Sequence, residues 1–241
     1  MKKIVAPLFL FAYIHVQAQQ FINSGKIEFE VRTNNHKIFG DGMFGEMFKD
    51  RFPQFSTTYY DYTFNDNKAI YKYNHQDEKS KLPWGNNNVE DNFWYSDYEA
   101  GTFTDQKFVF DDIYLLSDSL MTIDWKMVPN ETREIAGFNC RKAVGKIFDS
   151  VYVFAFYTDE ITISGGPMGI HGLPGMILGI TIPRMFTSWI ATKLQLDIKK
   201  ETIAAPLKGK KKKATELKQN VEKVSKNWGT WGQQTVWNIF L

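Results

Sequence analysis

Ser164-Gly-Gly-Pro-Met-Gly-Ile-His-Gly-Leu-Pro-Gly-Met-Ile-Leu-Gly179 is the stretch around which the chain reads. Residues 165–175 hold five glycines and two prolines, and the apolar run Met176–Ile182 follows at once. Glycine permits positive φ and close backbone approach, whereas proline fixes φ and removes a donor. Alternating the two suits a path that is irregular yet well defined. The flanks, Val151–Ile163 and Met176–Ile182, read as strands. The reading is therefore a shaped loop tucked between two strands.

Working outward, most of the chain carries the period-2 pattern of half-buried strands. Gly25–Thr33 sets Ile27, Phe29 and Val31 on one face against Lys26, Glu28, Glu30 and Arg32 on the other. Phe55–Asn65 and Lys68–Tyr73 read as a hairpin around Asn65-Asp-Asn67, residues that tolerate left-handed turns. Phe93–Tyr98, Gly101–Phe103 and Lys107–Phe110 read as short meander strands. Ile113–Leu116 and Thr122–Val128 read as a pair around Ser117-Asp-Ser119. Arg133–Ile135, Asn139–Ile147 and Val151–Tyr157 form a continuous antiparallel run, and Phe186–Asp197 resumes after Pro183.

Met43–Phe52 reads as a short helix ended by Pro53, and Lys208–Lys226 as another. In the second, Leu217, Val221, Val224 and Trp228 make one apolar stripe. The predicted fold class is mainly β: one large curled antiparallel sheet or half-barrel of roughly eight to ten strands, with one or two short helices.

The organisation predicted is a signal peptide over 1–18, a β-rich domain over 19–207, and a basic helical segment with an aromatic tail over 208–241, packed on the domain. Lys2 and Lys3, the mostly apolar Ile4–Val16 and the small-residue site Val16-Gln-Ala18 supply the three parts of a secretory signal. No later run is long enough for a spanning helix, so the product is expected to be periplasmic or secreted. A lone Cys140 allows no internal disulfide, which leaves stability to packing. Aromatic residues make up 16% of the chain, with 20 Phe, 11 Tyr and 7 Trp, and they suit pleated half-buried surfaces. The formal charge of +2 hides an asymmetry: residues 205–226 alone carry eight Lys against two Glu.

Several chemistries have no support in the pattern. His36, His75 and His171 are far apart, and no zinc-type His-Glu-x-x-His or paired cysteines occur. Neither a Gly-x-Ser-x-Gly elbow nor a phosphate-cradling Gly-Lys-Ser/Thr loop is present. No cofactor or metal is predicted. The residues that remain for catalysis are His171 inside the loop, Asp159 and Ser164 beside it, and Cys140, whose neighbours Arg141 and Lys142 are the kind that activate a thiol. As the binding element the loop offers Gly166, Pro167, His171, Gly172, Leu173, Pro174 and Gly175. The run Lys210–Lys213 is the type that meets anionic headgroups or nucleic acid, although an exported protein meets little nucleic acid.

Gly172-Leu-Pro-Gly-Met-Ile177 resembles the signature of the GLPGLI family, with Met176 where a second leucine is usual. Ile135-Ala-Gly-Phe-Asn-Cys-Arg-Lys-Ala143, Phe156-Tyr-Thr-Asp-Glu-Ile161 and Gly166-Pro167 extend the resemblance, with Phe138 and Phe156 replacing other aromatics. It is strong over 122–196 and follows the order of elements from 25 to 207. The resemblance implies export in a Gram-negative bacterium and implies no activity. Three functions follow as expectations. The leading one is a non-enzymatic binding or accessory module whose aromatic-lined concave sheet takes a lipid or a peptide. The others are an assembly subunit of an outer-membrane complex, docked through 228–241, and a hydrolase-like enzyme built on the loop 164–175.

Overall fold

The computed structural model describes residues 22–40, 42–82, 89–148, 150–196 and 203–241. The predicted signal peptide lies outside the described residues. The first half of the sheet comprises β1 (Ser24–Asn34), β2 (Phe55–Asn65), β3 (Lys68–Gln76), β4 (Phe93–Asp97), β5 (Thr102–Val109) and β6 (Asp112–Ser119). Helices α1 (Asn35–Phe39) and α2 (Met43–Lys49) lie between β1 and β2. The second half comprises β7 (Lys126–Ile135), β8 (Phe138–Ile147), β9 (Val151–Thr158), β10 (Met176–Ile182) and β11 (Thr187–Leu196). A short strand β12 (Lys210–Lys213) and helices α3 (Ala214–Ser225) and α4 (Thr230–Phe240) complete the order.

All twelve strands join one sheet in the order β12-β6-β5-β4-β3-β2-β1-β11-β10-β9-β8-β7. Each half is a plain meander of consecutive hairpins, and the halves meet where β1 pairs antiparallel with β11. Among the described strands one pairing is parallel, β12 on β6. The alternation in β1 places Ile27 and Phe29 in the core, as its sequence pattern requires. The β2–β3 turn carries Asp66 at φ 50, the left-handed conformation its Asn-Asp-Asn sequence tolerates.

The sheet curls without closing. In the strand order β6 and β7 are ten spacings apart, about 48 Å across a flat sheet. Only Leu120–Trp125 connects them, and that length of chain spans about 25 Å at most. The two edges must therefore approach each other. Across the second half, β7 and β11 also come within 8 Å between Cα atoms despite three strands between them in the sheet. The strap 120–125 then lies over the inner face, where Ile123 and Trp125 fill the space that a side chain at Gly145 of β8 would take.

The inner face forms one apolar core. It combines Ile27 and Phe29, Tyr62 and Phe64, Tyr71, Trp94, Ala143 and Ile147, Val153 and Ala155, Ile177 and Ile180, and Trp189. A smaller core under the helical hairpin joins Val109 and Leu116 to Leu217, Val221 and Val236. The buried aromatics meet edge-on or stacked: Phe29 lies 6.3 Å from both Tyr62 and Tyr71, and Tyr60 stacks on Tyr71 at 4.9 Å.

Four expectations are corrected. Gly101–Phe103 and Lys107–Phe110 are parts of one strand, β5. Thr122–Trp125 is not a strand paired with 113–116, because β6 finds its partners in β5 and β12 and the chain must cross to the far edge. Lys208–Lys226 is not one helix. Lys210–Lys213 extends along the free edge of β6, whose unpaired backbone groups outcompete helix formation by a lysine run that lacks a cap, and the helix starts at Ala214. A further helix, α4, stands in the aromatic tail, which docks on the domain through buried Trp237 and Leu241.

Candidate functional site

The loop between β9 and β10 is a plug set into the inner face. Its ends are tied by Met176 N–H to Ile161 O at 3.0 Å and Ile177 N–H to Gly165 O at 2.8 Å. The Ser164 hydroxyl accepts from Gly172 N–H at 3.0 Å, closing the loop on itself. Trp125 of the strap donates its indole N–H to His171 O at 2.8 Å. Gly166, Pro167, Leu173 and Gly175 are buried, whereas Gly172 and Pro174 are exposed and His171 is half-buried.

Three glycines of the loop answer a particular close contact. A side chain at Gly165 would overlap Tyr62 Oη and reach 3.0 Å from Tyr98 Oη. One at Gly166 would come 2.9 Å from Ile177 Cβ. Gly175 has φ 134, and a side chain there would overlap the Thr158–Asp159 backbone. L side chains rarely adopt such a φ, so this position is restricted twice over.

Below the plug lies a polar row. Tyr62 and Tyr98 share a hydrogen bond of 3.0 Å between their hydroxyls. Burial, and then each phenol's proximity to the other, raises the Tyr62 hydroxyl well above its ordinary value, and a hydrogen bond from the Gly166 backbone pulls the other way. Tyr98 is raised too, chiefly by burial. On β5 the alternation that puts Phe103 and Val109 inward also sends Asp105 and Lys107 inward. Burial pushes the Asp105 carboxyl up to about 7, opposed by Lys107 and by Tyr95 N–H, which donates to Oδ1 at 3.1 Å. Burial pulls the Lys107 ammonium down to about 7, with Asp105 opposing. Lys107 Nζ sits 3.6 Å from the Trp94 ring centroid and donates to Leu241 O at 3.0 Å, an oxygen that also accepts from Trp94 Nε1.

The structure does not bring the predicted catalytic residues together. Asp159 is exposed at the loop entrance and pairs with Arg141 at 2.6 Å. Ser164 is used by Gly172. His171 Nδ1 lies 3.1 Å from Gly169 O, its ring is 5.6 Å from Tyr98, and burial lowers its pKa. Cys140 is fully buried, its sulfur lies 3.6 Å from Phe138 O, and burial pushes the thiol up to about 11. A nucleophilic thiol needs the opposite shift. Arg141 and Lys142, which seemed placed to activate it, are taken by Asp159 and Glu131. Among the described residues no group of three or more His, Cys, Asp or Glu is placed to hold a metal.

Sequence reasoning missed the polar row. The signal was present in Phe103-Thr-Asp-Gln-Lys-Phe-Val109, where charge and bulk alternate on the same parity, but the segment reads as two short strands unless paired as one. Away from the plug, a cleft of about 390 Å³ opens between α3, α4 and the β8–β9 turn, lined by Phe148, Ser150, Lys218, Gln233 and Trp237.

What fold and site define is a curled, unclosed antiparallel sheet plugged by its own glycine-proline loop. No family model matches the chain, and no curated protein does. Among solved structures it is similar to PNGF-II in two crystal forms, with TM-scores of 0.51 and 0.50 at 14% and 15% identity. The match covers 86% of this chain but only 34% and 33% of the PNGF-II chains, so this chain spans about a third of their length. That likeness concerns the fold alone.

Proposed function

We propose that the protein is an exported, non-enzymatic binding or accessory module of the GLPGLI kind. The observation that carries this reading is how the chemically capable side chains are used. Asp159, Ser164, His171 and Cys140 are separately engaged in packing, turns and ion pairs. General acid–base or nucleophilic catalysis needs such groups within hydrogen-bond reach of one another. The inner aromatic face, which would suit a ligand, is filled by the protein's own groups: Tyr62 lies against the plug at Gly165, Tyr71 packs on Phe29, Tyr60 and Trp94, and the two are 1% and 2% exposed. Recognition therefore falls to the outer rim, where exposed Gly172 stands beside half-buried Trp125, with Pro174 exposed on the same loop and Met127 exposed two residues after Trp125. A rim with an aromatic ring, a thioether and rigid backbone suits an apolar peptide segment or acyl chain.

Native mass spectrometry of the protein taken from an exporting host tests this. A discrete added mass that is lost on Trp125→Ala supports the binding reading. A bare chain showing hydrolytic activity that His171→Ala abolishes overturns it.

A further inference from the structure

The apolar stripe of α3 continues past its own packing. Leu217 and Val221 are buried against β5 and β6, but Val224 is 58% and Trp228 45% exposed. Trp231, in the first turn of α4, is 49% exposed, and Phe110 on the β5–β6 turn is 47% exposed. Phe110 and Trp228 meet edge-on at 6.3 Å. The topology explains the grouping. Strand β12 runs parallel to β6, away from the Phe110 turn, and α3 returns along the sheet to bring the α3–α4 turn back beside Phe110.

Exposed lysines flank these apolar groups along the chain. Lys223 and Lys226 lie within the same stretch of chain, and Lys208 and Lys210 lead into β12 beside Tyr114; all four are exposed. The nearby acids are Asp111, Asp112 and Glu222; Asp112 is paired with Lys210 at 2.6 Å and Glu222 with Lys218 at 3.8 Å. Residues 208–226 carry eight Lys against two Glu, and 227–241 carry no charge at all.

We propose that this end of the molecule docks on an anionic lipid bilayer surface. Indole rings with one apolar and one polar edge settle at the headgroup level, and lysine stems lie along apolar surface while their ammonium groups reach phosphates. Each lysine close to an anionic surface adds about fivefold in affinity. A protein–protein interface has the opposite composition, since its core is depleted of lysine. Here the aromatics are about half-exposed and the chain on either side of them carries exposed lysines, which matches shallow insertion with electrostatic attraction. The inference does not depend on the rim proposed above, because the two surfaces share no residue.

The test is co-sedimentation of the full chain with vesicles of phosphatidylcholine alone and of phosphatidylcholine mixed with phosphatidylglycerol, read with tryptophan emission. Binding to the anionic vesicles should be about tenfold stronger or more, fall with added salt, and shift emission to the blue. Trp228→Ser/Trp231→Ser should weaken it by about tenfold, and Lys223→Glu/Lys226→Glu by about 25-fold or more. Should the tryptophan pair prove unfolded by circular dichroism, the charge-reversed pair, altered only at exposed side chains, carries the test. Equal binding to both vesicle types, or undiminished binding by the folded variants, overturns the proposal. Self-association that disappears in the tryptophan pair also overturns it, in favour of a second copy of the chain.

Discussion

Replacing Gly175 by alanine should be far more damaging than the same change at Gly172, three residues away. At Gly175 the added methyl would overlap Thr158 O and lie 2.8 Å from Thr158 C and 2.9 Å from Asp159 Cα. These are backbone atoms of a buried strand end, so they cannot rotate aside. The residue would also hold φ 134, where a side chain costs about 1–3 kcal/mol. Forcing the strand aside adds about 1–3 kcal/mol of overpacking. The two sum to about 2–6 kcal/mol. At Gly172, φ is 95 but the nearest neighbour is Trp125 Nε1 at 3.4 Å, an ordinary contact. Strain alone remains there, about 1–2 kcal/mol. In a domain of this size 1 kcal/mol moves Tm by about 2–4 °C, so the shifts should be about 10 °C and about 4 °C. Thermal unfolding followed by tryptophan fluorescence, with urea titration as a second measure, separates them. Equal Tm values for the two variants would refute the claim that the plug is held against the β9 backbone.

Three further outcomes follow from the interior. Cys140 should resist an aromatic disulfide reagent at pH 8 in the native protein and react once per chain in guanidinium, because it is buried and its thiol is pushed up to about 11; rapid native labelling would contradict the burial. Asp105→Asn should gain stability relative to the parent as pH rises from about 4 to about 7. The parent carboxyl is raised to about 7, so its ionisation opposes folding across that window, and urea midpoints at both ends that differ equally would exclude this effect. Tyr98→Phe removes one partner of the buried phenol pair and should cost about 1 kcal/mol. Gly165→Ala, which intrudes on both phenols, should cost more, and the reverse order in urea midpoints would show that the pair is not packed against the loop.

Much of the sheet was legible because alternation is a local signal. β10 matches the expected Met176–Ile182, and the β2–β3 hairpin turns at its Asn-Asp-Asn. The loop was recognisable as well defined, since glycine and proline mark special backbone directly. That it is a buried plug was not, because the atoms that require its glycines belong to β2, β9 and Tyr98, remote in sequence. Pairing was harder than strand identity. Residues 113–116 are apolar enough to pair with 122–128, yet their partners lie in β5 and in a lysine run about a hundred residues on. The polar row escaped for the same reason, since Asp105 and Lys107 look like solvent-facing charges until α4 and the plug cover their side of β5.

The joint between β1 and β11 bears on how the chain reaches this state. Within either meander each strand pairs with its neighbour in sequence, across connections of at most about twenty residues, so each half can form at modest entropic cost. The joint is different: Thr33 and Thr187, whose hydroxyls lie 3.0 Å apart, are separated by 154 positions. Contacts of such separation form slowly. The two meanders therefore condense first, tethered at their far edges by the six residues 120–125, and the ladder between β1 and β11 zips last. Until that moment both strands present long unpaired edges in the middle of what will become the sheet. The vulnerable interval in the life of this protein is thus the time before its centre closes, and a chaperone that shields nascent strands would act there.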